Sequence, residues 1–253
     1  MKGNYKDMKD IELNISEKLS FLKEKYNLNE NNFNKLRGHV ILRDALTGEI
    51  IEEKDNLITL RARSFVLELL FGLNAPEGYI NNKDRTVCLF NIGSGGADLQ
   101  ASPLEAISPK FSDTGMYSEI PFVIVSDLKE TLPEYQANPS IIEELNEEQK
   151  KTYYLPKEQP DGSVRYYAKV FEKDSERLKL DKNNGVVYWH GTCRITPQEA
   201  RGFVLNELGL ILAHYDEEKN VYTDAEQFSH ITFSSIALTS LNNGILIEYL
   251  VYA

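Results

Sequence analysis

Apolar residues recur at spacings of three and four early in the chain, at Met8, Ile11, Ile15, Leu19, Leu22 and Tyr26. That period predicts one amphipathic helix over residues 5–26 with a narrow apolar stripe. Such a stripe needs a partner, either the body of the chain or a neighbouring subunit along a coiled-coil-like seam. These six residues are therefore the candidate assembly interface. The polar tract 27–34 reads as a linker, so residues 1–36 form an N-terminal helical arm and residues 37–253 the body.

From Arg37 the period shortens. Val40 and Leu42, then Ala45-Leu46-Thr47-Gly48-Glu49, then Ile50 and Ile51 predict two strands joined by a tight turn at Gly48. The segment 59–71 carries Leu60, Val66, Leu69 and Leu70 and runs into Gly72, which predicts a helix capped by Thr59, stopped by glycine and lying across a sheet. Residues 87–92 read as a short strand running into Gly93-Ser94-Gly95-Gly96-Ala97-Asp98, and 120–125 as another strand.

Between about 126 and 163 the chain turns polar and carries Pro133, Pro139, Pro156 and Pro160, with a helix expected over 141–151 behind Ser140 and Glu143 in capping-box spacing. This stretch reads as a surface insertion. The last third returns to strands at 164–171, 186–195, 203–213, 231–238 and 245–252, separated by turns such as Asn242-Asn243-Gly244. Thr196-Pro197-Gln198-Glu199 has the cap, first-position proline and third-position glutamate of a single helical turn. The resulting fold class is α+β and β-rich: an antiparallel β-sandwich with an N-terminal amphipathic helix and a second helix packed on the sheet.

Charge narrows the partners. A formal net charge of -11 argues against nucleic acid, because tracking phosphates needs clustered Lys and Arg. The 14 Tyr and 11 Phe favour strands. Cys88 and Cys193 each sit in an apolar run and are too few for a disulfide framework, which suits a reducing compartment. The first residues lack an apolar core of signal-peptide type, and no window approaches the roughly 18 apolar residues of a membrane span. The expectation is a protein made and kept in a cytoplasm, or in a particle assembled there.

Candidate chemistry is sparse. The glycine-rich loop at 93–98 invites a phosphate-binding reading, but no Lys-Ser or Lys-Thr pair follows and residues 99–103 do not sustain a helix. It is read instead as a wide turn needing positive φ at glycine. His190 and Cys193 lie three apart and face opposite sides of an extended strand, so one metal cannot take both. Acidic runs at Glu143-Glu144, Glu147-Glu148 and Asp216-Glu217-Glu218 read as solvated faces. No catalytic residue, cofactor or metal site emerges, and the expectation is a protein that is not an enzyme.

Several stretches in order resemble tailed-bacteriophage virion proteins of the tail-fibre, baseplate and neck kind. Asp55-Asn56-Leu57-Ile58-Thr59 leads into a helix ending Leu69-Leu70-Phe71-Gly72. Leu89-Phe90-Asn91-Ile92-Gly93-Ser94-Gly95-Gly96 and Ser102-Pro103-Leu104 follow, then Asn206-Glu207-Leu208-Gly209-Leu210, the strand from Phe228, and Ile247-Glu248-Tyr249-Leu250-Val251-Tyr252. The resemblance implies a β-sandwich in which the Asn-Glu-x-Gly strand pairs with the last strands. The chain departs from it at Arg61-Ala62-Arg63, in a long insertion over 112–185, and in the N-terminal helix. It implies a virion structural subunit, assembled in the host cytoplasm, partnered by other virion proteins and by itself, without nucleic acid or membrane. A carbohydrate-binding β-sandwich module is the alternative, with exposed Tyr and Trp189 available to stack on sugars.

Overall fold

The structure, a computed structural model, describes residues 36–81, 84–98, 105–123, 153–171, 178–182, 186–200, 203–237 and 244–252. The six stripe residues Met8, Ile11, Ile15, Leu19, Leu22 and Tyr26, with the arm that carries them, lie outside the described residues, as does the helix expected over 141–151.

Strand β1 (Arg37–Asp44) and strand β2 (Ile50–Ile58) form the predicted hairpin. Its turn is closed by Asp44 Oδ1, which accepts from the Leu46 and Thr47 N–H groups at 2.9 and 2.7 Å, while Gly48 takes φ 72°. Helix α1 (Leu60–Phe71) follows at once, with the expected ends: Thr59 Oγ1 accepts the Ala62 N–H at 3.2 Å, and Gly72 closes the last turn at φ 64°.

Strand β3 (Thr86–Gly93) leads to the small pair β4 (Ala97–Asp98) and β5 (Glu105–Ala106), and β6 (Glu119–Ile120) returns to pair with β3. Then come β7 (Tyr154–Glu158), β8 (Val164–Val170), β9 (Leu178–Asp181), β10 (Val186–Ile195), β11 (Val204–Asp216), β12 (Val221–Ala237) and β13 (Ile245–Tyr252).

Every pairing is antiparallel, and the strands run in the order β7-β8-β3-β11-β12-β2-β1-β13-β10-β9. One strand joins the two halves: β2 pairs with β1 from Ile50 to Asn56, then places Leu57 and Ile58 against His230 and Ser229 of β12. A strand that changes partners midway turns a corner, so the sheet curls about a single core. Val40, Leu42, Cys193, Ile195, Ile247 and Tyr249 of one half meet Phe90, Ile92, Leu208, Leu210, Ile231 and Phe233 of the other. Phe171 stands between the halves, its ring 6.1 Å from that of Phe90, 5.0 Å from Trp189 and 6.3 Å from Tyr249.

The surface insertion expected over about 126–163 is shorter at its C-terminal end than the sequence suggested. Tyr154–Glu158 is a strand of the sheet, and Tyr154 is buried in the core beside Phe122 and Tyr166. Pro156 misled the reading. It falls at a register shift between Leu155 and Pro156, where a missing N–H is tolerated. Strand β12 begins ten residues earlier than expected, at Val221, because its first half is polar. No helix among the described residues is long and apolar enough to cross a membrane.

Candidate functional site

The most concentrated chemistry lies where the end of β3 meets β11 and β12. Leu208 pairs with Ile92 and Ile231 and all three enter the core, so the flanking Glu207 and Gly209 face the other way, with Gly93, Asn91, His230 and Thr232. That side is polar yet sealed: Glu207, Ser229, His230 and Thr232 each have 0% exposure. Buried polar groups must find partners, and here they find them in the glycine-rich loop and in the segment 105–120.

Glu207 is the hub. Its Oε1 accepts from the Gly95 N–H and, at 3.1 Å, from the Ser118 N–H, while Oε2 accepts from the Tyr117 N–H at 2.7 Å and faces His230 Nε2 at 3.0 Å. The other ring nitrogen of His230 faces Asp113 Oδ2, also at 3.0 Å. His230 therefore stands between two carboxylates, Asp113 on one side of its ring and Glu207 on the other. Burial pushes the Glu207 carboxyl up, but the His230 hydrogen bond and the Tyr117 and Gly95 N–H groups outweigh it and hold it below the usual range. Asp113 is treated alike: burial raises it, while the Lys110 N–H and His230 pull it lower. Burial, with the Asp113 carboxylate alongside, pushes the Tyr117 phenol up to about 12; its ring stands edge-on to His230 at 4.8 Å.

The loop 93–98 is thus an anion cradle after all, and the anion is the protein's own carboxylate. Its glycines do not serve the purpose the sequence suggested, since Gly93, Gly95 and Gly96 are absent from the positive-φ residues. They are required by close approach. A Cβ on Gly95 would lie 2.7 Å from Glu207 Oε1 and from the Ser118 nitrogen, and one on Gly96 would lie 2.3 Å from the Asn206 carbonyl oxygen. Asn206 Oδ1 in turn accepts the Gly96 N–H at 2.7 Å. Gly209 makes room for the amide of Gln227, which donates to Ser229 O at 2.6 Å and exchanges hydrogen bonds with Asn91.

A carboxylate, a histidine and a second carboxylate in a row resemble an acid–base relay. The geometry supports a latch instead. A relay histidine needs one nitrogen open to a nucleophile or substrate, and both nitrogens of His230 face carboxylates whose oxygens are also engaged by backbone N–H groups. What the arrangement does is clamp the loop 93–98 and the segment 105–120 onto the sheet.

A second ionic cluster fastens α1. Arg61 donates to Glu68 Oε1 at 2.6 Å and to Glu226 Oε2 at 2.8 Å, and Arg85 donates to the same Glu226 oxygen at 2.6 Å and to Ile80 O at 2.9 Å. Burial raises the Glu226 carboxyl, and the two guanidinium groups more than offset it. Both arginines lie over the Phe65 ring, at 5.7 and 5.5 Å. The consequence for α1 is an inversion: it buries Arg61, Ala62, Phe65 and Glu68 and turns Leu60, Leu67, Leu69, Leu70 and Phe71 to solvent.

Other residues singled out in the sequence are placed as follows. Thr196 and Glu199 make the reciprocal bonds of a capping box, and Glu199 Oε1 also accepts from Tyr154 at 2.7 Å and Lys169 at 2.6 Å. Cys193 is in the core, whereas His190 lies on the opposite face, 3.7 Å from Glu248. Trp189 packs against Phe171, and a Cβ on Gly191 would meet its ring at 2.3 Å, so it is folded inward rather than displayed for stacking. Among the described residues no group of His, Cys, Asp or Glu has the geometry to hold a metal ion. Glu207 and Gly209 were legible as interruptions of an apolar strand. Asp113 and His230 were not, and the one signal was the polar run Gln227, Ser229, His230, Thr232 inside a strand that also carries Phe228, Ile231 and Phe233.

No family model, curated protein or solved structure matches the chain.

Proposed function

We propose that this chain is a non-enzymatic structural subunit of a tailed-phage particle, in the tail, baseplate or neck, acting through protein–protein assembly with other virion proteins and with itself. The exposed apolar face of α1 carries this reading. Leu70 and Phe71 are each 71% exposed, with Leu60, Leu67 and Leu73 all above half. Isolated apolar side chains on a surface are ordinary, but a contiguous apolar face marks a surface that something covers.

Two further observations support it. Among the described residues, Glu207, His230, Arg61 and Glu226 are engaged in fastening the protein's own loops and helix. The motif elements that resemble virion proteins are also those that do the fastening: Thr59 caps α1, Gly95 and Gly96 form the cradle, and Asn206 and Glu207 fill it. In this reading the halves β7-β8-β3-β11-β12 and β2-β1-β13-β10-β9 are the two layers of a β-sandwich, and the protein resides in the virion after assembly in the host cytoplasm.

The test is co-expression with tail, baseplate and neck proteins, followed by light scattering and electron microscopy. A stoichiometric complex or ring containing the chain is the expected result. A chain that stays outside every such complex and outside purified particles defeats the proposal.

A further inference from the structure

Strands β1, β13 and β10 have two sides. Val40, Leu42, Ile247, Tyr249 and Cys193 face the core, so alternation turns His39, Ile41, Glu248, Leu250, His190 and Thr192 outward. The outward face of an antiparallel sheet ordinarily meets water. This one is dry: Ile41 and Glu248 have 0% exposure, Leu250 and His39 have 1%, and His190 and Thr192 are buried with them. No cover for it stands among the described residues. Helix α1 and the segment 105–120 are fastened to β12, and the main contacts of β1, β13 and β10 are with one another and with β2 and β9.

The dry strip is narrow. One strand beyond β1, on β2, the side chain of Asp55 is 57% exposed. Three strands spaced about 4.8 Å apart make a strip roughly 10 Å across, and the eight residues of β1 and of β13 make it about 27 Å long. One helix, roughly 10–12 Å wide, has that footprint. The sequence holds a segment suited to it. The apolar stripe from Met8 to Tyr26 runs at helical spacing, and residues 5–26 would extend roughly 33 Å as a helix.

Connectivity and charge both favour this segment. The chain passes through Leu36 straight into Arg37, the first residue of β1 and so the end of the strip. Residues 27–35 span about 30 Å when extended, enough to turn the segment back along β1. Residues 1–36 hold seven Lys against six Asp and Glu, so the net charge of -11 comes from the body. The other long stretch outside the described residues, 124–152, holds seven Asp and Glu against three Lys and would set like charge against an acidic body. It also leaves beside Phe122 and returns beside Tyr154, both of which face the core. The remaining stretches, each of six residues or fewer, are too short to cover three strands.

We infer that the N-terminal segment 5–26 docks along the outer face of β1, β13 and β10 of its own chain, with its apolar stripe against Ile41 and Leu250. The inference does not depend on the assembly reading above. Its test places a thiol under the segment in the full chain. Thr192→Cys lies in the strip, while the neighbouring Cys193 faces the core and reports on the fold; fragment mass spectrometry tells the two labelled thiols apart. The introduced thiol should label slowly with the native segment, and roughly tenfold or more faster once Ile15→Asp and Leu19→Asp are added, with Cys193 protected throughout. Cover supplied by the same chain does not depend on concentration, so the slow rate should be equal at roughly 1 and 100 μM protein. Fast labelling beneath the native segment, or a rate indifferent to the two aspartates, overturns the inference. Protection that grows with concentration assigns the cover to a second copy and overturns it too. Should the aspartates unfold the body, seen as labelling of Cys193, Ile15→Ser with Leu19→Ser is read by the same criteria.

Discussion

Glu207→Gln removes one charge and almost no volume from a side chain that is fully buried, so its effect isolates the latch. In the native protein the carboxylate accepts from the Gly95, Ser118 and Tyr117 N–H groups and from His230. A glutamine with its oxygen toward Gly95 and Ser118 turns an NH2 group toward the Tyr117 N–H, donor against donor. One buried donor loses its partner at a cost of about 1–3 kcal/mol, and the remaining bonds fall from charge-assisted to neutral at roughly 1 kcal/mol each. The sum is about 3–5 kcal/mol, a large part of the 5–15 kcal/mol that holds a typical domain together. For a chain of this length it corresponds to roughly 6–20 °C in Tm.

Urea unfolding followed through Trp189, the single tryptophan, measures the loss directly. Acidification supplies the second readout. Because the folded-state carboxyls of Glu207 and Asp113 lie below their ordinary values, the unfolded chain takes up protons first as pH falls. Their contribution is complete above about pH 4.5 and is lost as pH drops through the lower folded values. Wild-type stability should therefore fall more steeply from pH 5 to pH 3 than that of Glu207→Gln. A variant within about 1 kcal/mol of wild type, or one with the same pH slope, refutes the account of the latch.

Three substitutions probe the neighbouring elements. Gly96→Ala drives a Cβ to 2.3 Å from the Asn206 carbonyl and should cost about 3 kcal/mol or more in urea unfolding, whereas Gly115→Ala, with open space around it, should stay within about 0.5 kcal/mol. Arg61→Met strands Glu68 and part of Glu226 without their cation and should cost about 3–5 kcal/mol, seen as a lower urea midpoint at unchanged slope. Thr59→Ala removes the α1 cap and should cost about 1 kcal/mol, read by calorimetry.

Local rules recovered much of the fold. The β1–β2 hairpin, the α1 caps and most strands of the last third obey short-range patterns of turn residues and alternation, and those patterns are written in consecutive positions. The curl of the sheet is not, because it depends on Leu57 and Ile58 leaving β1 for β12, a choice made by residues far along the chain. The glycine loop was noticed for its composition and misassigned in cause: close approach and positive φ both select glycine, and only the position of Glu207 separates them. The outward face of α1 inverted the usual rule because Arg61 and Glu68, which a periodicity argument sends to solvent, satisfy each other against Glu226 and Arg85.

Strand β13 lies between β1 and β10, with Arg37 opposite Tyr252, so a strand near the beginning of the sequence waits for one that emerges after nearly all the rest. Until Ile245–Tyr252 arrives, β1 holds only its hairpin partner, and the backbone edge that β13 will occupy stands open. Closure is thus set by the most distant contacts in the chain, which slows folding and prolongs the life of an adhesive intermediate. A chain cut before Ile245 leaves the facing edges of β1 and β10 unpaired and should aggregate rather than fold to a smaller version of the same sheet.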